Sequence, residues 1–112
     1  MNIFEKTLIN DSEIEWEDLG SCVRRKIMTY SKDLMLTKVA FEQGGIGATH
    51  KHLHLQISYV SAGSFEVTIG NDKKILKAGD VYYVPSEVLH GVICLEKGEL
   101  IDVFNPMRED FV

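Results

Sequence analysis

The chain has 112 residues, 45% hydrophobic and 26% charged, an ordinary globular composition with room for one domain and a real core. Lys and Arg number 12 against 17 Asp and Glu, and the net charge of −5 argues against a nucleic-acid or anionic-membrane partner. No apolar run approaches the roughly 20 residues of a membrane span, no basic-then-apolar leader opens the chain, and Cys22 and Cys94, without a CxxC spacing, read as reduced thiols of a cytoplasmic protein.

In chain order, Met1 to Glu5 reads as a mature start, residues 1–20 form an acidic extension, and Asp11 to Glu17 reads as a helical turn. From Cys22 the texture is β: short runs of Val, Ile, Leu, Phe, Thr and Tyr broken by Gly, Asn, Asp and Pro. Strands are expected near 22–30, 34–41, 50–60, 64–70, 73–77, 81–84, 89–95 and 99–104. Ser31-Lys32-Asp33, Gly70-Asn71-Asp72 and Glu96-Lys97-Gly98 read as turns, and Gly44 to Gly47 as a flexible approach to the fifties strand. Pro85 closes the 81–84 strand, because proline has no N–H for the ladder. Arg24-Arg25-Lys26 reads as a solvated strand face, and Met35 and Phe41 as core. Eight short strands without long helices predict an all-β jelly-roll barrel.

His50, His52, His54 and Gln56 stand on alternate positions, and His90 follows further along. On a strand, alternation puts the first four on one face. A face so rich in imidazole is a poor core and a good cage for a divalent first-row metal, since buried imidazoles need partners. His50, His52, Gln56 and His90 are the expected ligands, and His54 is read as a neighbour of the shell or a substrate contact. Three neutral imidazoles and a neutral amide leave the ion's charge uncompensated, which favours an anionic ligand. Nickel, zinc, iron, cobalt and manganese all suit such a donor set.

The spacing resembles a known family. Gly44, His50, His52, Gln56 and Gly63 follow the first cupin motif, with Gln56 where most cupins carry glutamate. Gly79, Pro85 and His90 follow the second, with Glu87 in place of its glycine and Cys94 in place of its asparagine. The resemblance implies a cupin-type double-stranded β-helix over 1–112, with the motifs at 44–63 and 79–94 and a C-terminal strand and tail at 99–112. Trp16 to Leu19, His50 to Gln56, Ala78-Gly79-Asp80 and the ending Ile101 to Phe111 further resemble the small pectin degradation proteins, cupins that open the ring of unsaturated uronates. That likeness implies a metal-dependent conversion of 4,5-unsaturated monouronates, released by pectin or alginate lyases, to 5-keto-4-deoxyuronate. It also implies a small acidic sugar as partner, and family analogy adds a homodimer.

Asp102 and Phe104 differ by two and share a strand face. The functional reading makes Asp102 the general acid/base, Phe104 a wall against the sugar and Arg108 a carboxylate clamp through its planar fork. The plain reading makes Phe104 core, Asp102 a strand end and Arg108 a surface partner of Glu109 or Asp110. Tyr59, Tyr82 and Tyr83 read as packing with hydroxyls available to a ligand, and Cys94 as a barrel-lining thiol. A non-catalytic ligand-binding cupin, and a metal-dependent dioxygenase or polyketide cyclase, are the alternatives.

Overall fold

In a computed structural model that describes residues 6–112, the β-rich stretch becomes an antiparallel jelly roll. The start at Met1 lies outside the described residues. The strands are β1 (Glu17–Gly20), β2 (Val23–Tyr30), β3 (Met35–Phe41), β4 (Ile46–His50), β5 (Leu55–Ile69), β6 (Asp72–Lys77), β7 (Val81–Val84) and β8 (His90–Asn105). Among the described residues no helix is long and apolar enough to cross a membrane.

Two long strands make the barrel. The first part of β5 pairs with β7 and with the far end of β8, which continues to β3, β2 and β1. The later part of β5 pairs with β6 and with the start of β8, which β4 joins from its other side. Each long strand therefore serves both walls, and the expected breaks at 61–63 and 96–98 are corners rather than turns. The register shifts between Val60 and Phe65 bend the pair there. Gly63 and Gly98 permit it: a Cβ on Gly63, where φ is +75°, would stand 2.6 Å from Gly98 Cα. Local composition marks both sites as breakers but does not say that the partner strand turns with them.

Other expectations need correction. The helical turn shrinks to a 3-10 turn at Asp11–Glu13, and Glu17–Gly20 is an edge strand. Ile46 and Gly47, read as part of a flexible approach, open β4, which ends at His50. Of the basic cluster only Arg24 is solvent-exposed. Lys26 is buried, its ammonium held by the Asp11 carbonyl at 3.0 Å and its carboxylate at 3.2 Å, while Arg25 turns its side chain toward the barrel mouth. Lys38 and Lys26 bonded to Asp11 hold that carboxyl below its usual range.

The hairpin at Gly70-Asn71 and the stop at Pro85 form where expected, as does the core role of Met35 and Phe41. Phe41 meets Phe65 edge to face at 5.1 Å within a cluster that includes Val60, Val67, Val92, Cys94 and Leu100. Burying each such side chain contributes roughly 1.5–3 kcal/mol. A second cluster of Met35, Phe104 and Met107 closes the opposite end. Between them the barrel stays open and polar.

Candidate active site

The histidines do not ride one strand. His50 ends β4, residues 51–54 bend away from ladder geometry, and Gln56 is the second residue of β5. Convergence comes from the bend and from β8, whose first residue, His90, pairs directly with His50. The ring centroids of His50 and His90 are 4.4 Å apart, and those of His52 and His90 are 4.7 Å apart. One nitrogen from each of the three rings lies within 4.8 Å of the others. Three of the four alternating positions, His50, His52 and Gln56, thus supply ligand candidates around a bend rather than from a shared face.

Each ring is anchored through Nδ1. His50 donates to Ala48 O at 2.8 Å, His52 to His54 O at 2.9 Å and His90 to Val88 O at 2.9 Å. Carbonyls only accept, so each Nδ1 carries the proton and each Nε2 a lone pair. Among the described residues, His90 Nε2 is buried without a partner. Gln56 donates its amide N–H to Ser58 Oγ at 2.9 Å, which turns Oε1 toward His52 Nε2 at 3.0 Å. Two facing acceptors, with a third lone pair orphaned nearby, are satisfied by a cation, so the donor set suits a divalent metal. Burial holds His90 well below the ordinary imidazole range, at about 4, and lowers His52 as well, keeping both rings neutral.

Glu87 explains how the second motif works without its glycine. It adopts φ +65°, the left-handed conformation that glycine would take freely, and its N–H donates to His52 O at 2.7 Å. The strained turn that delivers His90 is therefore tied to His52.

Asp102, Phe104 and Arg108 line the same cavity. It holds about 410 Å³ and is lined by these three together with His50, Gln56 and His90, and Phe104 is the direct strand partner of Gln56. Asp102 is buried, and burial pushes its carboxyl up to about 6 against the lowering effects of the Ser58 hydrogen bond and Arg108. Phe104 is at once core and wall: 2% exposed, packed on Met35, with its ring 5.9 Å from that of His52. Arg108 does pair with Asp110, through Nε at 3.0 Å and Nη2 at 2.8 Å, but it is buried rather than on the surface. Its guanidinium lies over Phe104 at 5.1 Å and Phe111 at 4.2 Å. The Asp110 bonds take the Nε–Nη2 edge and leave Nη1 for a ligand.

His54 is placed outside the cavity. Its Nε2 donates to Met107 O at 3.1 Å, bracing the tail next to Arg108, while its carbonyl holds His52. Of the tyrosines, Tyr82 faces the cavity, whereas Tyr59 and Tyr83 point outward. Cys94 is sealed in the core, with Sγ 3.0 Å from Glu96 O.

Sequence reasoning missed three residues at this site. Arg25 lines the cavity, pinned by Glu17 at 2.9 Å and lying over Phe111 at 3.9 Å. Phe111 was not distinguished from the rest of the tail. Ser58 joins Gln56 to Asp102. Only Ser58 carried a signal: it continues the alternation through Gln56 by one more step.

A cupin domain model matches residues 37–104. The chain is 53% identical over 104 residues to the pectin degradation protein KdgF of Dickeya dadantii (strain 3937), covering 91% of this chain and 94% of that protein. Among solved structures, an RmlC-like cupin from Shewanella frigidimarina NCIMB 400 aligns with a TM-score of 0.92 at 39% identity, covering 96% of this chain and 98% of the other. KdgF from Halomonas sp. aligns with a TM-score of 0.91 at 36% identity, covering 96% and 99%. The chain belongs to the cupin family, and within it to the relatives of the pectin degradation protein KdgF.

Proposed function

We propose that this cupin is a metal-dependent enzyme that opens 4,5-unsaturated monouronates to 5-keto-4-deoxyuronate in the cytoplasm. One observation carries the reading: histidines able to hold a cation, a buried carboxyl with its pKa near 6 and an arginine with a free edge meet at a cavity of about 410 Å³. That is room for one sugar acid. The similarity to KdgF proteins points to the same substrate class.

His50, His52, Gln56 and His90 would hold the ion, which supplies Lewis-acid polarisation of the sugar oxygens. Arg108, pre-oriented by Asp110, receives the substrate carboxylate on its Nη1 side, and Phe104 sets the ring plane. Asp102 as carboxylate takes the proton of the anomeric hydroxyl while the bond from the ring oxygen to the anomeric carbon breaks. The ring oxygen leaves with the bonding pair as an enolate, and the same proton, returned by Asp102 to the enolate carbon, gives the ketone, so the conversion is an isomerisation without redox. A pKa near 6 suits a group that both takes and gives a proton near neutrality. His54 supports His52 and the tail from behind.

We also propose a homodimer. Leu55, Ile57 and Tyr59 on β5 and Val81 and Tyr83 on β7 form an exposed apolar outer face, with Ile57 opposite Tyr83 and Tyr59 opposite Val81.

The test is direct. Purified protein is mixed with unsaturated galacturonate and the decay of ultraviolet absorbance at the enol-ether band is followed. Acceleration that disappears on chelation and returns with one divalent metal is expected. A decay equal to buffer would remove the proposal.

A further inference from the structure

Ser58 is fully buried and has no part in the chemistry above, yet it touches both halves of the site. Alternation along β5 puts it on the inner face with Gln56 and Val60. The register then sets it beside Asp102 on β8 and Tyr82 on β7, with Thr37 of β3 on the far side of Asp102. Thr37, Asp102, Ser58 and Tyr82 thus form one row across four strands.

A serine hydroxyl has one proton to give and two lone pairs to offer. Ser58 accepts the Gln56 amide N–H at 2.9 Å and gives its own proton to Asp102 Oδ1 at 2.5 Å. Tyr82 stands beside Ser58 on the neighbouring strand, on the side away from Asp102. We propose that Ser58 is a positioning residue that fixes the metal-facing amide and the acid/base carboxyl as one unit. Its oxygen commits the Gln56 nitrogen to the barrel wall, so the amide can present only its oxygen to a cation. A reversed amide would aim a donor at the ion. The same hydroxyl holds Oδ1 of Asp102 in the cavity wall. Thr37, whose buried hydroxyl has no hydrogen-bond partner among the described residues, flanks that carboxyl without taking Ser58's place.

The inference rests on the proposed roles of Gln56 and Asp102, so its primary readout is metal binding, which needs no sugar. Cobalt(II) affinity is measured by chelator competition for wild type, Ser58→Ala, Gln56→Ala and the double variant. Ser58→Ala should bind cobalt about 10-fold more weakly, as expected for loss of a residue that orients a ligand. In the Gln56→Ala background the same change should add less than about twofold, because the amide it orients is gone. The cobalt d–d spectrum of Ser58→Ala should shift toward that of Gln56→Ala. On unsaturated galacturonate, kcat should fall while KM stays within about twofold, the pattern of lost positioning rather than lost binding.

Wild-type cobalt affinity in folded Ser58→Ala, or an equal loss in both backgrounds, would overturn the proposal. If Ser58→Ala does not fold, Ser58→Cys, which keeps the volume but bonds weakly, carries the same cycle. Coupling in the cobalt cycle with no sugar activity in the wild type would sink the uronate reading and leave the Ser58 link standing.

Discussion

Asp102→Asn should stabilise the metal-free protein above pH 6 while abolishing activity. The Asp102 carboxyl titrates near 6 in the fold against an ordinary value of 3.8, chiefly because burial penalises its charged form. The folded state therefore holds this proton more tightly than the unfolded chain does, and raising the pH from about 4 to about 6 weakens the fold. Two pKa units correspond to about 3 kcal/mol. By linkage the penalty is about 0.5 kcal/mol at pH 4, about 1.6 kcal/mol at pH 5 and about 3 kcal/mol at pH 7 and above. Asparagine keeps an oxygen for the Ser58 hydroxyl and never ionises, so the variant escapes the whole series.

Urea unfolding of chelator-treated wild type and Asp102→Asn, at unit steps from pH 4 to pH 8, reads the difference. Both proteins carry the same histidines, so their titration cancels and the difference curve belongs to Asp102. It should rise across pH 4–6 and level off near 3 kcal/mol in favour of the variant. Metal content after reloading should match wild type, because Asp102 is outside the ligand set, and turnover of unsaturated galacturonate should vanish. A difference that is flat with pH would refute the desolvated carboxyl, and full activity in the variant would refute its role as proton carrier.

Other outcomes follow from the same geometry. Arg108→Lys loses the fork held by Asp110 and the stacking over Phe104 and Phe111, so KM for unsaturated galacturonate should rise about 10-fold; an unchanged KM would contradict the clamp. Glu87→Gly relieves a left-handed side chain worth about 1–2 kcal/mol, partly offset by the extra freedom of the unfolded glycine. The expected gain is about 0.5–1 kcal/mol in urea unfolding, and a loss would mean that the Glu87 side chain has a role of its own. Ile57→Lys places a charge at the centre of the exposed β5–β7 face and should halve the mass seen by sedimentation. A wild-type protein that already sediments as a monomer would end the dimer proposal.

How far the fold could be read from sequence varies along the chain. The hairpin at Gly70-Asn71 and the stop at Pro85 depend on local backbone chemistry, and both form where composition places them. The corners at Gly63 and Gly98 depend on a close crossing of two strands about 35 residues apart. Each glycine, taken alone, is indistinguishable from a turn. Composition therefore divides β5 and β8 into two strands each, and it passes over β1 and β4, whose short runs are half polar and lack a period.

The site divides in the same way. Histidine is uncommon, so His50, His52 and His90 were visible before any pairing was known, even though the assumed single strand was wrong. Their ligand spacing survives because the bend at 51–54 moves the rings together without changing their order. Ser58 and Arg25 are ordinary residues, and their meaning comes from neighbours across the sheet: Asp102 and Tyr82 for one, Glu17 and Phe111 for the other. Register decides those neighbours, and register here is set by bulges that no local pattern announces. Ligands that bind an ion carry their chemistry with them. The groups that hold those ligands acquire theirs only when the strands pair.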